Sequence, residues 1–256
     1  MFRSGKYYEN LKNIKEYPFL GKIDAFKIIS NVYFIGTYQA SSHLIDTGDG
    51  LIMIDTGYSN TAYLVVKSIY DLGFKPEQIK YIINTHWHGD HTEATALFKD
   101  LSGAKTIIGR DDFEKAKQHF TADILVDDGD TITLGNTTVE FIHTPGHTLG
   151  TISLFFNVTE NGKVYRVGMF GGAGTNTLVK ERYDFDGCLD AYGKSLERLK
   201  KEKVDVFIGN HTWNNDTFGK KELSEKTGNN AFIDDKIWLQ FLDCYKERLN
   251  KIIKDV

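Results

Sequence analysis

"THWHGDHT" (85–92) is the stretch on which the reading of this chain turns. Three histidines and an aspartate crowd between His86 and His91, in a chain with eight histidines altogether. In extended or turn-like backbone, residues i and i+2 project the same way, so His86 and His88 can share one ion. Asp90 and His91 follow on the turn and face a neighbouring position. Neutral imidazoles with a carboxylate are ordinary ligands for zinc and its borderline neighbours. A solvated polar loop would read the same way from these eight residues alone, so the decision rests on the histidines elsewhere.

Working outward, "YIIN" (81–84) is a short apolar run that delivers the chain to the cluster, and "EATALFKDL" after it reads as a helix. The cluster therefore stands at a strand exit, where polar side chains collect on a rigid frame. Two further histidines repeat that placement. His147 follows the rigid Pro145-Gly146 turn after "VEFIHT", and His211 lies just past "VDVFIG" (204–209). Four ligands from one loop do not readily enclose two ions; six from three strand exits do. The repetition makes metal binding the reading of the chain.

The surrounding pattern is mixed α/β. "FKIISNVYFIG" (26–36) is strand-like, and "SSHLIDTGDGLIMIDTG" (41–57) reads as two strands about the Gly48-Asp49-Gly50 turn. Residues 60–73 place Ala62, Val65, Val66 and Ile69 at helical spacing before Gly73. "KTIIG" (105–109), "TITLG" with "TTVEFIHT", and "TISLFFNV" with "KVYRVGMF" are further strands, the last pair a hairpin over residues 160–162. Helices are expected around 185–201 and from about 234 to 254. No low-complexity linker divides the chain, so one domain over 1–256 is expected, with residues 1–24 as an N-terminal extension. Two mixed sheets packed face to face, with helices outside, accommodate this order of elements.

Composition narrows the function classes. A hydrophobic fraction of 41% and a charged fraction of 26% suit a globular chain with a real core. The net charge of −4 predicts no broad attraction to nucleic acid or anionic membrane. Cys188 and Cys244 are far apart and form no CxxC, which fits a reducing compartment. The N-terminus shows no secretory pattern, and no stretch approaches transmembrane length, so a cytoplasmic protein acting on a small molecule is expected.

Three elements in this order resemble the metallo-β-lactamase superfamily over nearly the whole chain. They are Ile54-Asp55-Thr56-Gly57, the His-x-His-x-Asp-His run of His86, His88, Asp90 and His91, and "TPGHT" (144–148). The resemblance implies an αββα four-layer sandwich with two zinc ions per chain at one edge of the sheets. His86, His88 and His147 would hold the first ion; Asp90, His91 and His211 would hold the second. Most hydrolases of that superfamily, glyoxalase II and lactonases included, carry a bridging aspartate after the strand matching "YRVGMF". Here "GGAGTN" (171–176) follows, with Gly172 in that slot and no Asp or Cys nearby. The pattern is similar to the third subclass of metallo-β-lactamases, as are "TPGHTLGTISL" and "GNHTWNNDTF". Flavodiiron proteins place Glu where His88 stands, which argues against that branch.

The chemistry implied is attack by a metal-activated hydroxide on a cyclic amide or related acyl bond. Asp90 is then both ligand and catalytic orienter of the nucleophile, and Asp55 supports a ligand from behind. Trp87, Tyr38, Tyr58, Asn176 and Trp213 are expected at the substrate mouth, with core packing as the alternative for the aromatics. His43 and His143 are expected as core or rim residues, and His119 as solvated. A lactonase or thioesterase on the same metals is the second reading, and a non-catalytic metal-binding protein the third. Loops around 36–42, 112–128, 172–184 and 212–234 are expected to set specificity.

Overall fold

In a computed structural model, residues 17–255 are described. Most of the expected N-terminal extension, residues 1–16, lies outside the described residues. Its remainder holds a short turn, Pro18–Gly21.

The first sheet contains β1 (Phe26–Ile29), β2 (Val32–Phe34), β3 (His43–Asp46), β4 (Leu51–Ile54), β5 (Ile79–Ile83), β6 (Lys105–Gly109) and β7 (Ile124–Val126), side by side in that order. Pairing is antiparallel from β1 to β4 and parallel from β4 to β7. The switch follows from the connections. Short turns at 30–31 and 47–50 and a loop at 35–42 join the first four strands, whereas α1 (Ala62–Asp71) crosses over between β4 and β5. Between β5 and β6 run one helical turn, α2 (Gly89–Thr92), and α3 (Thr95–Ser102). A further turn, α4 (Phe113–Ala116), follows β6.

The second sheet has the order β12-β11-β10-β9-β8, from β8 (Thr131–Leu134), β9 (Thr137–His143), β10 (Ile152–Glu160), β11 (Lys163–Met169) and β12 (Val206–Phe207). Only β11 and β12 pair in parallel, after the crossover through α5 (Cys188–Leu199). The chain ends with α6 (Thr217–Thr227) and α7 (Ile237–Asp255).

Strand alternation builds four layers. Ile52 and Ile54 of β4 face inward and meet Leu154 and Phe156 of β10 in the core between the sheets. Met53 faces outward onto Val65 and Ile69 of α1 and Phe98 of α3. On the far side, Phe155 and Phe207 pack against Leu196 of α5 and Trp238 and Phe241 of α7. Burial on both faces explains why "LIMI" and "ISLFF" are continuous apolar runs rather than alternating ones. The αββα sandwich is thus the observed architecture.

Three local expectations are revised. Residues 26–36 do not form one strand: Ser30, with φ of 47°, turns the chain so that Ile29 pairs with Val32. The stretch 212–234 contains α6, entered through Asp216 and closed at Gly228, both in left-handed conformation. The stretch 112–128 contains α4 and β7. Ser30 and Asn31 interrupt the first run, the lysines and glutamates of α6 leave it without an apolar period, and α4 and β7 are too short to show one. Among the described residues no helix is long and apolar enough to cross a membrane.

Candidate metal centre

The six residues singled out in the sequence converge at one edge of the sandwich. β5 ends at Ile83, and the next residues turn sharply into α2, carrying His86 and His88 ahead of Asp90 and His91. Ligand atoms of His86, His88 and His147 lie within 4.8 Å of one another, and so do those of His86, Asp90 and His91. His211 joins the second group: its Nε2 is 3.5 Å from Asp90 Oδ2, as is His91 Nε2.

Hydrogen bonding fixes which ring nitrogen each histidine offers. His147 Nδ1 is 2.8 Å from the Gly174 carbonyl and His211 Nδ1 is 2.7 Å from the Gln39 carbonyl, so both donate there. Their Nε2 atoms keep the lone pair. His91 Nδ1 donates to Asp55 Oδ2 at 2.7 Å. His88 instead presents Nδ1, 2.9 Å from His147 Nε2. His86 Nε2 and His91 Nε2 are buried and have no hydrogen-bond partner among the described residues. Orphaned ring nitrogens at that depth are costly unless something binds them, and a metal ion fits the donor set.

Burial holds His86 well below its ordinary pKa, takes His88 down to about 4 and His147 to about 3, and lowers His211 as well. These rings stay neutral, as ligands must. His91 differs: burial opposes its charge, but the flanking Asp90 and Asp55 push its pKa up to about 10, so its Nε2 carries a proton that a bound cation would replace. Asp90 is itself held ionised: burial works against its charge, but the surrounding imidazoles outweigh it.

Asp55 supports this arrangement from inside. Its carboxylate also accepts the Thr85 N–H and hydroxyl, each at 2.8 Å, so it ties the end of β5 to His91. Its own backbone has φ of 54°, a strained conformation for aspartate, secured by its N–H to the Ile83 carbonyl.

A cavity of about 610 Å³ opens over the cluster. Tyr58, Asn176 and Trp213 line it, together with His88, Asp90, His147 and His211. Trp213 stacks on His211 at 4.3 Å. Tyr38 and Trp87 are not among the lining residues. Tyr38 packs on Phe218 at 4.9 Å, and Trp87 turns its indole N–H to Asp184. Sequence reasoning missed Glu93, Thr175, Tyr245 and Arg248, which also line the cavity. Glu93, three residues after Asp90 on a helical turn, was within reach of a spacing argument. Arg248 gave no local signal, since only the docking of α7 brings it there. Of the other histidines, His43 is buried edge-on to Phe34 and His143 Nε2 meets the Leu149 carbonyl at 2.7 Å.

Gly172 shows why no carboxylate from the loop after β11 enters the cluster. A Cβ there would lie 2.7 Å from Thr151 and 2.9 Å from His147 Cβ. The loop passes too close behind His147 to carry a side chain.

Known proteins share this frame. A family model described as the metallo-beta-lactamase superfamily matches residues 35–211. A subclass B3 metallo-beta-lactamase of Bradyrhizobium japonicum superposes with a TM-score of 0.85 at 28% identity, covering 92% of this chain and 95% of that one. For the native metallo-beta-lactamase of Legionella gormanii the TM-score is 0.87 at 26% identity, with 92% and 97% covered. A hydroxyacylglutathione hydrolase of Hyphomonas neptunium is 35% identical over 123 residues, 48% of this chain and 44% of that one. A beta-lactamase-like protein 2 homolog of Caenorhabditis elegans is 28% identical over 243 residues, 84% of this chain and 79% of that one.

Proposed function

Because the chain belongs to the metallo-beta-lactamase superfamily, we propose that it is a dinuclear zinc-dependent hydrolase of the β-lactamase type, opening a cyclic amide or a related acyl bond. The observation that carries this reading is Gly172. With no room for a Cβ beside His147, the ligand set is His86, His88 and His147 with Asp90, His91 and His211, and no bridging carboxylate. Two zinc ions held there would lower the pKa of a shared water to about 7 and polarise the carbonyl under attack.

The chain's own residues supply the rest. Asp90 lines the cavity as a carboxylate held ionised by the imidazoles around it. It accepts a hydrogen bond from the attacking water, which orients that water and gives its proton a path to the leaving atom. Asp55 keeps His91 in the tautomer that offers Nε2. Tyr58, Asn176 and Trp213 form walls against which a flat acyl substrate rests. The substrate class is a small molecule, and the net charge of −4 does not favour nucleic acid.

A lactonase or thioesterase on the same metals is the second reading. The relatives favour it: besides the hydroxyacylglutathione hydrolase, an N-acyl homoserine lactonase of Bacillus thuringiensis is 23% identical over 206 residues. Metal analysis combined with nitrocefin, lactone and thioester assays separates the two. Two zinc ions per chain with nitrocefin opening is the expected result. Turnover of lactones or thioesters alone sinks the first reading, and metal binding without any turnover leaves a binding protein.

A further inference from the structure

Trp87 stands between His86 and His88, yet it does not line the cavity, and its two N–H groups leave toward two different buried acids. The backbone N–H donates to Asp112 Oδ2 at 3.0 Å; the indole N–H donates to Asp184 Oδ1 at 3.1 Å. Both acids also reach the other histidine loop, at the residues directly after His147. Asp112 accepts the Thr148 hydroxyl and the Gly150 N–H, each at 2.7 Å. Asp184 accepts the Leu149 N–H at 3.0 Å, and Lys115 closes on it at 2.6 Å. Asp112 is fully buried and the Asp184 side chain is 3% exposed.

Three segments distant in sequence thus interlock around two loops. Asp112 and Lys115 come from the turns after β6, Asp184 from the connection between β11 and α5, and Trp87 from the ligand loop itself. One backbone bond, from Ile152 N–H to the Thr85 carbonyl, ties the bases of the two loops. Beyond the imidazole contact of His88 with His147, the hydrogen bonds described between their tips pass through these two carboxylates. Apolar packing would fill such a place at less cost than two buried acids, because each carboxylate must be stripped of water and fully hydrogen-bonded. What they add over packing is direction.

We propose that Trp87, Asp112 and Asp184 are positioning residues that set the spacing of the two histidine loops, and so the metal affinity of the His86–His88–His147 group. His88 Nδ1 and His147 Nε2 face each other across those loops at 2.9 Å, so a small slip of one loop pulls the three nitrogens out of convergence. The Asp90–His91–His211 group shares the 85–92 loop but has anchors of its own, Asp55 behind His91 and the Gln39 carbonyl behind His211, and so depends on the brace less. The inference rests on the two-metal reading of the site.

The test uses Trp87→Phe, which keeps the ring and removes one donor, and Asp184→Asn, which keeps the shape. Zinc affinity is measured by chelator competition, and cobalt absorption reports the two groups separately. The three-histidine group should weaken by about 10- to 100-fold in each variant, the usual cost of losing a partner behind a ligand. The second group, with anchors of its own behind His91 and His211, should weaken clearly less. Equal weakening of both groups, or no weakening of either, overturns the proposal. Hydrogen exchange of the metal-free protein decides it without metal: 85–92 and 144–151 should loosen together in both variants. Loosening of one alone, or of neither, overturns it. A wild-type chain that binds no zinc would defeat the two-metal reading while leaving the exchange measurement decisive for the brace.

Discussion

The two halves of the metal centre are built by opposite means. His86, His88 and His147 belong to two loops joined by side-chain hydrogen bonds on both flanks. His211 belongs to a third loop, anchored through Asn210 and Thr212 to Ser41, Gly171 and Tyr38, while its own ring rests on the Gln39 carbonyl 172 positions away and on the face of Trp213. A ligand triad inside a network is preorganised before any ion arrives. A ligand that hangs on one backbone acceptor and one stacked ring keeps more freedom. The difference teaches that the two groups should fill unequally, the three-histidine group first and more tightly.

Removing His211 is the strongest way to break that comparison. His211→Ala should take zinc content from two ions to one and lower kcat/KM by more than the ~100-fold typical of losing an outer partner. Metal analysis beside steady-state kinetics checks it. A variant that keeps both ions would show that His211 is not a ligand and that the second group closes some other way.

Gly172 tests the other half. Introducing the carboxylate that related hydrolases carry, as Gly172→Asp, drives a Cβ against Thr151 and His147. Overpacking of this kind should cost roughly 3 kcal/mol, read as a lower melting temperature of the metal-free protein. Zinc affinity of the three-histidine group should fall rather than gain a bridging ligand. Unchanged stability with tighter zinc binding would mean that the loop can move aside.

The halves also differed in how far the sequence revealed them. "THWHGDHT", "TPGHT" and His211 marked the candidate ligands because metal chemistry restricts residue type and strand exits restrict position. The four-layer sandwich was legible in the doubly apolar strands "LIMI" and "ISLFF". Trp87 was misleading: next to two ligands it invited a substrate role, but its indole turns to Asp184, 97 positions away. Asp112 and Arg248 were invisible for the same reason. One acid of the Asp111-Asp112 pair after "KTIIG", or an arginine in an amphipathic helix, has no local mark, and only tertiary packing gives it a neighbour.

Asp112 offers a pH test of the braced half. Burial raises its carboxyl from 3.8 to about 6, against the hydrogen bonds of Thr148, Gly150 and Trp87 that lower it. A raised carboxyl pKa means that the folded state binds the proton more tightly than the unfolded one. Its stabilising contribution is therefore complete below about pH 4 and lost as pH rises through 6, a change of roughly 2–3 kcal/mol. Denaturant melts of the metal-free wild type and of Asp112→Asn, compared between pH 4 and 7, isolate that contribution. The histidines whose pKa burial lowers add an opposite slope over the same range, so the Asp112 contribution is read as a difference: the stability of the wild type relative to Asp112→Asn should fall by that amount from pH 4 to 7. An equal slope in both would assign it to other groups.

Arg248 carries the smallest expected effect and sharpens the open side of the comparison. It lines the cavity from α7 and rests on the Tyr245 ring at 4.5 Å, and no carboxylate among the described residues pairs with it. A guanidinium in that position favours an anionic group on the substrate, and its partial exposure limits the gain to a screened interaction. Arg248→Ala should lower kcat/KM about tenfold for a β-lactam carboxylate, corresponding to about 1.4 kcal/mol, mainly through KM. The primary carboxamide of the same compound should be turned over at an unchanged rate, and zinc content should stay the same. Equal losses on the acid and the amide would mean that Arg248 supports the cavity wall through Tyr245 instead of reading charge.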